Sequence, residues 1–180
     1  MSITHRVQLP DLMKQLKLPL IGLECGTADG GSAVDFMTNG LDHMICVDVW
    51  NSIPGQRGDA SMSTEWHHKN FEVAKQRLSK WDSNVTFLRG ISSEMAWMVP
   101  DNSIGLLYLD GDHSYEGVMK DLIAYFNKVV KGGIIAGHDF LAVQYGVKQA
   151  VEDFCKIYNY EINIIKEDKD EDSGFYFIKK

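Results

Sequence analysis

Short runs of apolar residues alternate with amphipathic stretches along most of the chain. The short runs are typical of strands in a parallel sheet, which are buried on both faces. In the amphipathic stretches apolar residues recur every three to four positions, as on one face of a helix. The pattern predicts strands over 20–24, 43–49, 85–88, 104–109 and 134–136, followed in turn by helices over 31–39, 64–80, 93–99, 115–126 and 147–158.

The two ends of the chain extend this alternation. Residues 1–17 are expected to form a helical lead-in, with a short helix over 9–17. The tail INIIKEDKDEDSGFYFIKK reads as two strands around an acidic turn, which predicts a hairpin. Together the elements predict an α/β fold: a Rossmann-like, doubly wound, mostly parallel seven-stranded sheet with a C-terminal antiparallel hairpin.

Composition narrows the class of protein. The 180 residues, 44% of them hydrophobic, fit a single domain over 1–180 with a full core. A net charge of −7 with scattered basic residues does not indicate a nucleic-acid partner, because binding phosphates requires a basic face. Three cysteines without a CxxC pair fit a reducing compartment, and no stretch approaches the roughly 20 apolar residues of a membrane span. We therefore expect a cytoplasmic protein without membrane contact.

A loop with glycines follows the first predicted strand and has the sequence ECGTADGGS over 24–32. Glycine lets the backbone turn tightly and approach a ligand closely, and the next helix begins with N–H groups suited to an anionic group. The spacing is GxxxG, unlike the GxGxxG of most dinucleotide sites, and the GK[ST] ending of a P-loop is missing. A plain strand-to-helix turn stays an alternative for this loop.

Asp48 ends the second predicted strand, where doubly wound sheets bind their ligands. A carboxylate there can accept hydrogen bonds from both hydroxyls of a ribose, although a turn or cap acid is the alternative. Trp50 follows two residues later and is placed either to stack near an adenine or to lie in the core.

With its E-x-G-x-x-x-G pattern and the acid ending the second strand, the sequence resembles class I S-adenosylmethionine (SAM)-dependent methyltransferases over roughly residues 18–180. The resemblance implies that Glu24 and Asp29 hold the amino-acid end of SAM and that Gly26 and Gly30 allow its approach. It also implies that Asp48 binds the ribose.

The segment after the third strand completes the predicted cofactor site. The same resemblance places Ser92 and Ser93 near the adenine, and Ile91 stands where many members carry an acid. The residues predicted to bind SAM are Glu24, Gly26, Thr27, Asp29, Gly30, Ser32, Asp48, Trp50, Ser92, Ser93 and Asp110.

Two further segments are the most specific in the chain: DGDHSYEGV over 110–118 and GGIIAGHD over 132–139. Asp110 and Asp139 end adjacent predicted strands, so their carboxylates should converge together with a histidine. Oxygen ligands suit Mg²⁺, and a nitrogen ligand leaves Mn²⁺ open. Taken singly, Asp110 has the alternative role of a helix cap or SAM contact, and His138 that of a hydrogen-bonded lining residue.

These segments resemble small SAM methyltransferases that include antibiotic-sugar O-methyltransferases and cephalosporin-hydroxylase-like proteins. Metal-dependent catechol-type O-methyltransferases are similar more distantly. The resemblance implies Asp110, His138 and Asp139 as metal ligands, with His113 as general base where the catechol enzymes have a lysine. The predicted catalytic residues are therefore His113, Asp110 and His138.

The expected reaction is O-methylation of a small hydroxylated molecule, such as a sugar, with help from a divalent metal. Three alternatives stay open: a metal-independent methyltransferase, a nucleotide-binding oxidoreductase, which the loop spacing disfavours, and a non-catalytic SAM-binding module. The irregular stretch over 51–70 offers Arg57, Trp66, His67 and His68 as candidate substrate contacts. Either the substrate occupies an open site or a second subunit closes it, and a homodimer is the expectation.

Overall fold

The computed structural model describes residues 3–53, 58–142, 146–166 and 173–180, and in these ranges one sheet has seven strands. Its order is β3-β2-β1-β4-β5-β7-β6. The strands are β1 (Ile21–Cys25), β2 (His43–Asp48), β3 (Val85–Arg89), β4 (Ile104–Leu109), β5 (Val129–Gly137), β6 (Asn163–Ile165) and β7 (Gly174–Ile178).

Strands β1 to β5 run parallel, and β7 pairs antiparallel with both β5 and β6. The predicted mostly parallel sheet with its C-terminal hairpin is therefore confirmed. Residues 167–172, most of the predicted acidic turn, lie outside the described residues. The strand order reverses between β1 and β4, so ligands are expected outside the carboxyl ends of these strands.

Helices cover both faces of the sheet, and each face has its own apolar core. One face carries the two helices α1 (Leu9–Gln15) and α2 (Gly31–Thr38), together with α3 (Thr64–Leu78). The other carries α4 (Ser92–Met95), α5 (Tyr115–Phe126) and α6 (Val147–Tyr158). Ser114 caps the N-terminus of α5, because its Oγ accepts a hydrogen bond from the Gly117 N–H at 3.0 Å.

The prediction for the fifth strand is wrong at its start. The glycine pair was expected to open the strand, but β5 already begins at Val129, which pairs with Ile104. The register shifts between Ile104 and Leu106, and Gly132 has a φ of 79° inside the strand. The glycine pair therefore lies at an irregularity within β5, where the left-handed backbone of Gly132 changes the direction of the strand.

Within the described ranges, every helix is too short or too polar to cross a membrane.

Candidate functional site

A cavity of about 950 Å³ opens at the carboxyl ends of the parallel strands. Gly26, Asp48, Gly90 and Asp110, which end or follow the first four strands, all line it, and side chains of α3 and α5 complete the wall. This is the place that the reversal of strand order predicts.

Asp48 organises the loops at the β2 end of the cavity. Its Oδ2 accepts a hydrogen bond from the Ala28 N–H at 2.9 Å, and its Oδ1 accepts one from the Trp50 N–H at 2.8 Å. Ala28 and Trp50 have φ angles of 46° and 42°, a left-handed backbone that such residues rarely adopt. Each oxygen of Asp48 keeps a second lone pair, so the carboxylate can hold these loops and also accept hydroxyl hydrogens from a ligand.

The Trp50 ring lies in the core, the second of its two predicted places. It is fully buried, with its ring centroid 4.6 Å from that of Phe71 and 5.9 Å from that of Phe87. Its Nε1 donates a hydrogen bond to the Ala28 carbonyl at 2.7 Å. The indole therefore supports the loops around Asp48, and Trp50 is also among the residues that line the cavity.

Glu24 and Ser32 meet beneath the glycine loop. The Ser32 hydroxyl donates a hydrogen bond to Glu24 Oε1, and Glu24 Oε2 is buried with no partner among the described residues. Burial raises the pKa of Glu24 to about 8, against the opposing effect of the Ser32 hydrogen bond. Thr27, which is 3% exposed, lies close enough to lower that pKa as well. These three residues lie behind the cavity wall that the described residues form, so their predicted contact with SAM is not direct in this arrangement.

Asp29 turns away from the cavity. Its Oδ1 lies 2.8 Å from Arg77 Nη1 in an ion pair on the surface, and 44% of its side chain is exposed. The expected role of Asp29 at the amino-acid end of SAM is therefore unsupported, because its partner is a cation of α3.

The two glycines of the loop answer different packing needs. Gly26 has a φ of 89°, and a Cβ there would lie 2.2 Å from the Asp110 carbonyl oxygen, so only glycine lets these two loops meet. Gly30 has a φ of 83°, and its Cβ would lie 3.2 Å from Ala74 Cα of α3. Gly26 lines the cavity, whereas Gly30 allows helix packing behind it.

Asp110, His113, His138 and Asp139, here called the acid–histidine cluster, come together at the ends of β4 and β5. His113 Nε2 lies 3.4 Å from Asp110 Oδ1 and 3.1 Å from Asp139 Oδ2. His138 Nδ1 lies 3.4 Å from Asp139 Oδ2. The predicted convergence of these four residues is therefore present, with His113 between the two carboxylates.

The charges within the cluster stabilise one another. Burial lowers the pKa of His113, but hydrogen bonds to Asp110 and Asp139 outweigh it and raise that pKa to about 9. Burial acts to raise the pKa of Asp139, and the two histidines overcome it and hold that pKa well below its usual range. Without a bound cation these contacts favour the imidazolium form of His113 at neutral pH, which has no lone pair to accept a proton. A cation held by Asp110 and Asp139 would displace that proton, so the role of general base stays a prediction.

The group that could hold a cation also differs from the predicted one. Ligand atoms of Asp110, His113 and Asp139 all lie within 4.8 Å of one another. The sequence predicted His138 in place of His113, but His138 lies beside this group, with its Nδ1 3.4 Å from Asp139 Oδ2. Two carboxylates and one imidazole suit Mg²⁺ or Mn²⁺, so the donor set still fits a divalent cation.

Sequence reasoning missed Asp121 at the β3 side of the cavity. The Ser92 hydroxyl donates a hydrogen bond to Asp121 Oδ1 at 2.6 Å, and the Tyr125 hydroxyl donates one to the Ser92 carbonyl at 2.7 Å. Asp121 is 4% exposed, and burial raises its pKa to about 6. Ser92, Ser93 and Asp121 all line the cavity. The sequence signal that could have indicated Asp121 is its place on the buried stripe of α5, one position before Leu122.

The stretch after β2 contributes two of its four predicted contacts. Trp66 and His67 line the cavity, and His68 is exposed on the same helix. Arg57 lies outside the described residues.

The sequence of this chain is similar to that of known proteins. Residues 23–140 match the family model of a methyltransferase domain. A curated relative, the uncharacterized protein R132 of Acanthamoeba polyphaga mimivirus, is 30% identical over 123 residues, which are 66% of this chain and 50% of the relative. The chain thus spans about half the length of that relative.

Solved structures share the fold at low identity. The O-methyltransferase NovP has a TM-score of 0.72 and 21% identity, over 97% of this chain and 78% of that one. TomG from Streptomyces achromogenes, an O-methyltransferase in complex with SAM, has a TM-score of 0.70 and 13% identity, over 97% and 79%. An O-methyltransferase from Bacillus cereus in complex with SAH has a TM-score of 0.68 and 12% identity, over 100% and 82%.

Proposed function

Since the chain belongs to the methyltransferase domain family, we propose that it transfers the methyl group of SAM to a hydroxyl oxygen of a small molecule. The observation that carries this proposal is the cavity itself. Asp48 lies at its β2 end, and Asp110 with His113 lies at its β4 end, on either side of β1. An acid placed to accept ribose hydroxyls and two residues of the acid–histidine cluster therefore face one space, as a nucleoside cofactor and an acceptor hydroxyl require.

The cofactor would lie along the ends of the central strands. Asp48 accepts hydrogen bonds from the ribose hydroxyls, and Gly26 keeps the β1 loop clear of a side chain. Ser92 and Ser93 lie where the adenine is expected, and Asp121 behind Ser92 supplies the carboxylate that Ile91 lacks. Asp110 would then contact the amino group in the methionine part of SAM. Glu24 and Ser32 support the loop from behind.

A divalent cation would be held by Asp110, His113 and Asp139. When bound, such a cation lowers the pKa of an acceptor hydroxyl and orients its oxygen toward the methyl group. The acceptor oxygen forms a bond to the methyl carbon while the carbon–sulfur bond breaks, and its electron pair stays on sulfur. With its pKa lowered in this way, the hydroxyl loses its proton to water in the cavity.

A metal-independent methyltransferase is the second candidate. It is favoured by the position of His113, whose imidazolium lies within 3.4 Å of both carboxylates and already supplies a positive charge there. Methyl transfer that persists in EDTA would support this candidate, whereas activity that is lost in EDTA and restored by Mg²⁺ or Mn²⁺ would support the cation.

Titration with S-adenosylhomocysteine (SAH), the product of the reaction, tests the proposal. Calorimetry of the purified protein with and without Mg²⁺ or Mn²⁺ should give binding in the micromolar range. The absence of binding under all of these conditions would contradict a SAM-dependent function.

A further inference from the structure

His67, near the N-terminus of α3, is a buried polar group to which the proposed reaction assigns no role. It is 7% exposed, and its Nε2 is buried with no hydrogen-bond partner among the described residues. It also lines the cavity. A buried ring nitrogen without a partner is unusual, because the nitrogen loses its hydrogen bonds to water on folding.

The position of His67 on α3 gives no packing reason for a histidine rather than an apolar residue. His67 lies on the face of α3 that also carries Phe71, Ala74 and Leu78, and Ala74 and Leu78 are buried in the core. An apolar side chain would continue this stripe without any unpaired nitrogen. A partner that arrives with a ligand in the cavity would satisfy the ring.

The sheet order indicates which part of a ligand reaches His67. Phe71, one turn later on α3, packs against Trp50 after β2 and against Phe87 of β3, with ring centroids 4.6 and 5.6 Å away. Strand β1 separates β2 from β4, so the end of β2 is about 10 Å from the end of β4 at the usual strand spacing. His67 is therefore on the opposite side of the cavity from Asp110 and His113, where the methyl group must be transferred.

We propose that His67 binds the nucleoside part of the cofactor through Nε2, from the wall opposite the acid–histidine cluster. This inference rests on the proposed function, which places SAM in the cavity. An imidazole nitrogen accepts a hydrogen bond from a ribose hydroxyl or donates one to a base nitrogen according to its tautomer, so both parts of a nucleoside offer a partner. The sequence predicted a substrate contact at His67, and the sheet order assigns it to the cofactor.

The test compares His67→Leu with His68→Leu. Leucine fills the buried site without a ring nitrogen, and the neighbouring exposed His68 is the matched control. Calorimetry should show SAH and adenosine each binding about five- to tenfold more weakly to His67→Leu, as expected for one neutral hydrogen bond, and unchanged to His68→Leu. The ligand-free His67→Leu protein should unfold at the same or a higher temperature, because the variant has lost an unsatisfied group.

Two deoxynucleosides locate the contact. If 2′-deoxyadenosine or 3′-deoxyadenosine binds the wild type and His67→Leu equally, the missing hydroxyl is the partner. If both still bind the variant more weakly, the partner is on the base. Either result supports the inference.

Equal affinity of SAH and adenosine for the wild type and His67→Leu would overturn the inference and leave the proposed function intact. A lower unfolding temperature with unchanged affinity would also overturn it, since His67 would then have a structural role only. If the wild type binds no SAH, the proposed function fails, and the inference fails with it.

Discussion

His113 Nε2 lies 3.1 Å from Asp139 Oδ2, across the gap between the loops that follow β4 and β5. The same nitrogen lies 3.4 Å from Asp110 Oδ1, so one imidazole joins two carboxylates from neighbouring strands. This contact brings His113 into the group of three that could hold a cation, where the sequence predicted His138.

Cation binding should depend on His113 more than on His138. His113→Ala removes a ligand atom from the group of three, whereas His138→Ala leaves that group complete. We expect Mn²⁺ affinity, measured by calorimetry, to fall in both variants and to fall further in His113→Ala, because His138→Ala removes only a neighbour of the ligand Asp139. The reverse order would restore the ligand set predicted from the sequence.

Asp139→Asn should slow turnover strongly and largely spare SAH binding. Asp139 has a φ of 57°, a conformation that asparagine tolerates well, so the backbone should persist. The lost charge removes the partner of both histidines, and kcat should fall by about 100-fold or more. The exposed Asp101→Asn, which breaks only an ion pair with Lys128, is the control. A normal rate in Asp139→Asn would remove the cluster from the reaction.

Asp48→Asn should weaken SAH binding by roughly 1–3 kcal/mol, since ribose hydroxyls would lose a charged acceptor. The variant should also unfold at a lower temperature, because one of the hydrogen bonds to the Ala28 and Trp50 amides loses its acceptor. Calorimetry and thermal unfolding measure the two effects separately.

Asp29→Asn is the matched comparison for Asp48→Asn and tests the other acid assigned to SAM. Asp29 pairs with Arg77 on the surface, so SAH affinity should change by no more than about twofold. A loss as large as that of Asp48→Asn would show that Asp29 reaches the cofactor after all.

Asp121 should make stability depend on pH. Burial raises its pKa from 3.8 to about 6, so the folded state favours the protonated carboxyl. Its contribution to stability is therefore fully present below about pH 4 and is lost as the pH rises through about 6. The substitution Asp121→Asn would keep an acceptor for the Ser92 hydroxyl without this titration.

Urea unfolding of Asp121→Asn and the wild type at pH 4 and pH 7 measures the effect. Between these pH values the free energy of unfolding of the variant should gain about 2 kcal/mol relative to the wild type, because other groups titrate equally in both. A difference that does not change with pH would mean that Asp121 ionises normally.

The sequence by itself determined the order and type of the elements and the family. Strands and helices follow from the alternation of short apolar runs with stripes at helical spacing, and the Ser114 cap lies next to the stripe it starts. These are local signals, carried by residues within one or two turns of each other. The E-x-G-x-x-x-G and DGDHSYEGV motifs sufficed for a methyltransferase, and the family match over 23–140 confirms it.

Tertiary structure decided which way the functional side chains point. Asp29 sits in the predicted loop but pairs with Arg77, 48 residues later in the chain, and Trp50 is enclosed by Phe71 and Phe87. The contacts of His113 with two carboxylates and the buried Asp121 likewise appear only in three dimensions. The same holds for His67 Nε2, which has no partner among the described residues. A motif determines where a residue lies on a strand or loop. The contacts of that residue depend on side chains from segments that are distant in the sequence. Those contacts arise only when the sheet and helices pack.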